Sequence, residues 1–215
     1  MTKEKVDGII FDLDGTLWDS TEIILKVWND AANDFKEITT TVTVEDIQSA
    51  MGLLLLDIGK KFYPYLEEEE IKEIVKHCSK IENEYLSIHG AKLYDNLEET
   101  LKKLSKNHKL FIVSNCQDGY IEAFYKAHNL EKYFVDFENP GRTGMPKWEN
   151  IKLIVERNNL KNPVYVGDTA GDRKAAKLAG VPFVFAKYGF GDVEDYDFVV
   201  DKLEDVAGLE FVELD

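Results

Sequence analysis

The sequence predicts an α/β fold, a doubly wound parallel sheet carrying an inserted block of helices. Three observations predict it. Short apolar runs recur along the chain and end in turn-forming or acidic residues, as strands buried on both faces of a parallel sheet do. Helical patterns separate most of these runs, the alternation that right-handed crossovers require. Between residues 20 and 89 the alternation stops, and only helical periods remain.

The first run is Val6–Phe11, VDGIIF, which ends at Asp12. In the segment that follows, Ile24, Val27, Trp28, Ala31 and Phe35 share one helical face. Ile71, Ile74, Val75, Cys78, Ile81, Tyr85 and Ile88 share another at i, i+3, i+4, i+7 spacing. The acids Glu67–Glu70 stand where that second helix begins, which suits the helix dipole. Beyond it come a helix over 97–106, a strand at Leu110–Val113, a helix at Tyr120–His128 and a weaker strand at Phe134–Phe137. A helix at Trp148–Asn158, a strand at Val164–Val166, a helix at Arg173–Ala179, a strand at Phe183–Phe185 and an edge strand at Phe198–Val200 complete the pattern. The expected units are therefore an α/β core of residues 1–17 and 91–215 and a helical domain of residues 18–90.

Composition narrows the function. The 215 residues carry 41 acidic and 26 basic side chains, a formal net charge of −15. Such a chain repels phosphate backbones and anionic membrane surfaces, which argues against nucleic-acid and membrane partners. No apolar run is long enough to span a bilayer. The opening MTKEKVDGII has no apolar leader, so a cytoplasmic setting with free thiols at Cys78 and Cys116 is expected. Those two cysteines form no zinc-ligand spacing.

The strongest chemical signal is Phe11-Asp12-Leu13-Asp14-Gly15-Thr16-Leu17, directly after the first strand. Carboxyl ends of parallel strands form the ligand-binding edge of such sheets, and Asp12 and Asp14 at i and i+2 project to the same side of an extended chain. Carboxylates this close raise one another's pKa unless a cation holds them ionised. A second acidic strand end is Val166-Gly167-Asp168-Thr169-Ala170-Gly171-Asp172, where Asp168 and Asp172 can face one pocket. Taken by itself, that segment also reads as a helix N-capping turn. Ser114 and Asn115 end the second core strand and offer neutral donors to a phosphate oxygen. Lys147 precedes a helical pattern; alone it is equally a solvated side chain.

All four clusters fall in one order at strand ends or helix starts, and together they resemble the haloacid dehalogenase superfamily across Val6 to about Asp201. FDLDGTL is the most specific element. VGDTAGDRKAAKLAGV and the helical insertion are similar to the phosphoglycolate-phosphatase-like branch, in which the insertion is a cap. The resemblance implies an enzyme that hydrolyses a small phosphorylated metabolite, as a monomer or homodimer. It implies Asp12 as the nucleophile, Asp14 as acid and then base, and Mg²⁺ held by the Asp12 side chain, the Asp14 backbone carbonyl and Asp168, with Asp172 direct or through water. Ser114, the Asn115 N–H and, less centrally, the Leu13 and Gly15 backbone and the Thr16 hydroxyl would receive the phosphoryl oxygens, and Lys147 would neutralise charge. Three carboxylates with a phosphate dianion place about five negative charges together, against about three positive ones from Mg²⁺ and Lys147.

Asp14 argues against a true dehalogenase, which has no oxygen leaving group to protonate, and Gly167-Asp168 with Asp172 favours hydrolysis over a sugar phosphomutase. A non-catalytic phospho-acceptor module would lack the helical insertion. Trp18, Met51-Gly52-Leu53 and Lys60 are candidate substrate contacts, with cap-to-core packing the alternative for Trp18 and Leu53–Leu56. Arg142 can reach a phosphate or be solvated, and Cys116 is expected as a small buried hydrophobe. Phosphoglycolate, sugar phosphates, nucleotides and pyrophosphate all remain open as substrates.

Overall fold

The structure, a computed structural model, describes residues 5–209. The expected core unit's ends, 1–4 and 210–215, lie outside the described residues. In chain order the elements are β1 (Gly8–Phe11), β2 (Trp18–Asp19), α1 (Thr21–Ala32), α2 (Val44–Ala50), α3 (Leu55–Phe62), α4 (Glu68–His89), β3 (Lys92–Leu93), α5 (Leu97–Leu104) and β4 (Lys109–Val113). They continue with α6 (Tyr120–His128), β5 (Asp136–Glu138), α7 (Pro140–Thr143), α8 (Lys147–Arg157), β6 (Pro163–Gly167), α9 (Ala170–Ala179), β7 (Phe183–Ala186) and β8 (Phe198–Val200).

Six strands form one parallel sheet in the order β5-β4-β1-β6-β7-β8. The two-residue period of a strand divides its apolar side chains between two packing layers. Ile9, Phe11, Leu110, Ile112, Val164 and Val166 meet Leu101 of α5 and Phe124 of α6. Ile10, Phe111, Val113, Tyr165, Phe183 and Phe185 meet Ile151 and Ile154 of α8 and Ala176 of α9. Both faces are therefore covered, which is why these strands read as unbroken apolar runs.

The helices α1–α4 build a separate apolar cluster from Trp28, Ile47, Phe62, Ile71, Ile74, Val75 and Cys78. The expected start of α4 is present, with Glu67 and Glu70 forming a reciprocal capping box. Two details differ from the helical reading. Ile88 is 72 % exposed, because the buried stripe of α4 continues through Ser79, Glu82 and Leu86 and leaves position 88 on the outer face. Phe35 lies beyond the end of α1 yet still packs against the insertion's core. No helix among the described residues is long and apolar enough to cross a membrane.

The sequence pattern contains no trace of β2 and β3. These two-residue strands pair antiparallel, Trp18 with Leu93 and Asp19 with Lys92, at the base of the insertion. Strands this short carry no alternation to read. The expected strand at 134–137 begins instead at Asp136, because a 3₁₀ turn over Glu131–Tyr133 precedes it.

Candidate active site

Sheet register assembles the site. Phe11 is aligned with Ile112 on one side and Val166 on the other, so Asp12, Ser114 and Asp168 leave the sheet together at its carboxyl edge. The Asp12 N–H donates to the Val166 carbonyl at 2.8 Å, prolonging the β1–β6 ladder to the site itself. Carboxylate oxygens of Asp12, Asp168 and Asp172 lie within 4.8 Å of one another, and all three residues are buried.

Asp172 is both a cap and a site residue. Thr169 caps α9 and Asp172 answers it, with Oδ2 accepting from Thr169 Oγ1 at 2.7 Å and from the Thr169 N–H at 3.0 Å. Its Oδ1 accepts from Lys147 Nζ at 2.7 Å and Tyr165 OH at 3.3 Å. Lys147, at the start of α8, also stands 3.1 Å from Asp12 Oδ1. One buried ammonium thus bridges two carboxylates.

The titration directions follow from that crowding. Burial and the neighbouring Asp172 push Asp12 up to about 7, with Lys147 opposing. Burial, Asp172 and Asp12 raise Asp168 well above the usual carboxylate range. Burial also works to raise Asp172, but the Lys147 ammonium and the bonds from Lys147 and Thr169 outweigh it and hold Asp172 low. Burial would depress Lys147, yet Asp12 and Asp172 more than reverse this and keep it charged. Asp168 Oδ2 accepts from the Phe190 N–H at 2.7 Å, while Asp168 Oδ1 is buried without a hydrogen-bond partner. Carboxylates that repel one another, with one oxygen left unpaired, fit a hard cation taking oxygen ligands.

Asp14 is held apart from this cluster. Its Oδ1 accepts from Trp18 Nε1 at 2.8 Å, Ser20 Oγ at 2.5 Å and Tyr120 OH at 2.9 Å. Burial raises its pKa while those three donors oppose the rise. With Oδ1 so occupied, Oδ2 is the oxygen left to exchange a proton. Gly15, at φ +76°, makes the turn directly after Asp14; a Cβ there would stand 2.2 Å from Asp168 Oδ2.

Ser114 is buried beside the acids, and Thr16 is fully buried with Oγ1 unpartnered. Asn115 Nδ2 donates to the Gly52 carbonyl at 2.8 Å, tying the Met51-Gly52-Leu53 turn to the core. Trp18 is buried against Tyr120 and Phe124 as well as bonded to Asp14. Cys116 is buried, as expected. Two residues lie elsewhere. Arg142 stacks on Phe137 and pairs with Glu138, and Lys60 pairs with Glu68 on the insertion's surface at 2.7 Å.

Several participants carried no sequence signal. Tyr120 stands 106 positions from the Asp14 it holds, Ser20, six positions on, is the N-cap residue of α1, and Tyr165 is an inward-facing strand position. The segment Tyr188-Gly189-Phe190 after β7 closes over Asp168. Its glycine was the available clue, since a Cβ at Gly189 would fall 2.3 Å from Asp168 Cβ and 2.4 Å from the Gly15 carbonyl oxygen.

A family model described as haloacid dehalogenase-like hydrolase matches residues 9–186. The chain is 27 % identical over 229 residues to a phosphoglycolate phosphatase of Vibrio vulnificus, covering 99 % of each protein. It is 25 % identical over 233 residues to that of Escherichia coli O157:H7, covering 94 % of this chain and 92 % of the relative. Among solved structures it resembles a haloacid dehalogenase-like hydrolase family protein of Streptococcus pneumoniae, with TM-score 0.81 and 22 % identity over 94 % of this chain and 97 % of the other. It also resembles CbbY of Rhodobacter sphaeroides in complex with phosphate, with TM-score 0.78 and 14 % identity over 94 % and 96 %.

Proposed function

The chain belongs to the haloacid dehalogenase-like hydrolase family, and we propose that within it this protein is a Mg²⁺-dependent phosphatase of small phosphate monoesters. The observation that carries this reading is the division of four aspartates. Three are gathered around Lys147 at the sheet edge, and Asp14 is oriented separately by Trp18, Ser20 and Tyr120. Relatives named phosphoglycolate phosphatase support the reaction type.

Mg²⁺, held by Asp12, Asp168 and the Asp14 carbonyl with Asp172 behind them, would neutralise charge on the phosphoryl group. The remaining chemistry belongs to the chain. Lys147 opposes protonation of Asp12 and holds it in place, and an ionised Asp12 oxygen attacks phosphorus as the ester P–O bond breaks. Asp14 gives its proton to the departing alkoxide through Oδ2, then takes one from the water that cleaves the aspartyl-phosphate, which restores Asp12 and releases phosphate. Ser114 and the Asn115 N–H position the phosphoryl oxygens, since a loosely bonded transition state depends on positioning and charge neutralisation. In this reading residues 18–90, with α1–α4 at their centre, are a cap over the core of 1–17 and 91–215.

Purified protein with Mg²⁺ should release phosphate from para-nitrophenyl phosphate, EDTA should silence it, and Mg²⁺ should restore it. Asp12→Asn should abolish release; retention of most of the activity in that variant would overturn the mechanism.

A further inference from the structure

Between the insertion and the core lies a small chamber of about 50 Å³, which Asp14 lines from the core side. Its walls are otherwise mostly apolar, with Trp28, Met51, Leu53 and Phe62 from the insertion. It contains one further charged residue, Glu82 of α4, and no Lys, Arg or His lines it. Asp14 and Asn115 are the residues of the proposed chemistry that line it, so the phosphatase reading places there the leaving group that Asp14 serves.

Glu82 is conspicuous on its own helix. The other buried α4 residues are Ile71, Ile74, Val75, Cys78, Ser79 and Leu86, yet Glu82 is 3 % exposed. Its oxygens accept hydrogen bonds from two neutral donors, Trp28 Nε1 and, at 3.0 Å, Gln117 Nε2. Those donors fix the carboxylate in position and leave its charge uncompensated. A buried charge without a counter-ion is unfavourable for folding, so the chamber wall carries a negative group that packing alone does not call for.

We propose that Glu82 sets the substrate class of this site, excluding monoesters whose leaving group bears a second anion near the ester oxygen and admitting short uncharged or cationic alcohols. The inference rests on the phosphatase reading above, because it takes the chamber to be the leaving-group pocket. Like charges brought together in a water-poor site are strongly unfavourable, whereas a hydroxyl or ammonium can donate to the carboxylate. The exclusion applies to short leaving groups. Further out, a cleft of about 700 Å³ is lined by Lys76 and Lys80, which have no ion-pair partner among the described residues, so an anion on a longer leaving group meets positive charge there.

The test is a matched series: phosphoglycolate, 2-hydroxyethyl phosphate and O-phosphoethanolamine, which differ only in an anionic, neutral or cationic tail. At pH 8, with Mg²⁺, wild-type kcat/KM should be at least about tenfold lower for phosphoglycolate than for the other two. Glu82→Gln should shrink that gap about tenfold or more by raising phosphoglycolate relative to 2-hydroxyethyl phosphate. A wild-type preference for phosphoglycolate overturns the proposal whether or not the variant folds. So does a Glu82→Gln effect that scales all three substrates equally, the signature of a merely structural tie. If folded wild type turns over no ester, the phosphatase reading fails separately. Thermal-shift protection by the three compounds then decides the Glu82 proposal: weaker protection by phosphoglycolate in wild type alone supports it, and equal protection overturns it.

Discussion

The Lys147 ammonium stands 2.7 Å from Oδ1 of Asp172, with both side chains shut off from solvent. Their pairing extends to Asp12 at 3.1 Å, so one positive charge stabilises two negative ones in the protein interior. Removing one member of such a set leaves buried charge uncompensated, which typically costs about 3–5 kcal/mol. Lys147→Met should therefore lower both stability and activity, by roughly that amount in chemical denaturation and by at least about a hundredfold in kcat with para-nitrophenyl phosphate. A variant of unchanged midpoint and turnover would show the bridge to be dispensable.

Gly189→Ala tests the segment over Asp168. The added methyl would meet Asp168 Cβ at 2.3 Å and the Gly15 carbonyl oxygen at 2.4 Å, both parts of the acidic cluster's own framework. Displacing Asp168 should raise the Mg²⁺ concentration for half-maximal activity by about tenfold or more. A Mg²⁺ titration of the two proteins reads this directly; coincident curves would mean that the segment yields without moving Asp168.

Tyr120→Phe removes one of three donors to Asp14 Oδ1 and a bond to Ser20. The stability loss should be about 1 kcal/mol, the net worth of a typical hydrogen bond. Turnover should suffer more, with kcat down roughly tenfold, because Asp14, the proposed proton-transferring group, loses orientation. Equal kcat in the two proteins would show Trp18 and Ser20 to be sufficient.

Stability should depend on pH through Glu82. Burial pushes its pKa up to about 7 from 4.5, the Gln117 and Trp28 bonds oppose the rise, and Asp14 adds to it. Tyr120 and Cys78 are the other titratable groups it faces, and burial raises both further above neutrality. Between pH 4.5 and 7 the native carboxyl keeps a proton that the unfolded chain has lost, so this group makes stability fall as pH rises. The slope is at most about 1.4 kcal/mol per pH unit, the limit for a single proton. Glu82→Gln should gain stability relative to wild type from pH 5 to pH 8 in urea unfolding. A constant difference across that range would place the native pKa elsewhere.

The parallel core was legible because strands covered on both faces leave continuous apolar runs, and Asp12, Asp168 and Ser114 follow those runs at once. Lys147 was legible only in company, since nothing in Gly144-Met145-Pro146-Lys147 states that α8 aims its first residue at Asp172. Tyr120 and the segment at Gly189 were silent for a related reason. Their partners lie across the fold, and a hydrogen bond between distant positions imposes no period on either segment. Glu82 hides in an amphipathic helix, where a charged residue ordinarily marks the solvent face. Arg142 and Lys60 show the converse, basic residues near site segments in sequence whose charges are spent on nearby acids.

Trp18 pairs with Leu93 in the two-residue ribbon, so the chain leaves the core and re-enters it through one narrow neck. Seen from the sheet, everything between is a single loop, and doubling a loop's length adds only about 0.6 kcal/mol of closure entropy. Helices of another length and sequence can therefore be exchanged at this neck while the register that gathers the carboxylates stays intact. Trp18 and Ser20, which hold Asp14, stand at the neck itself, so they belong to the part that such an exchange must keep.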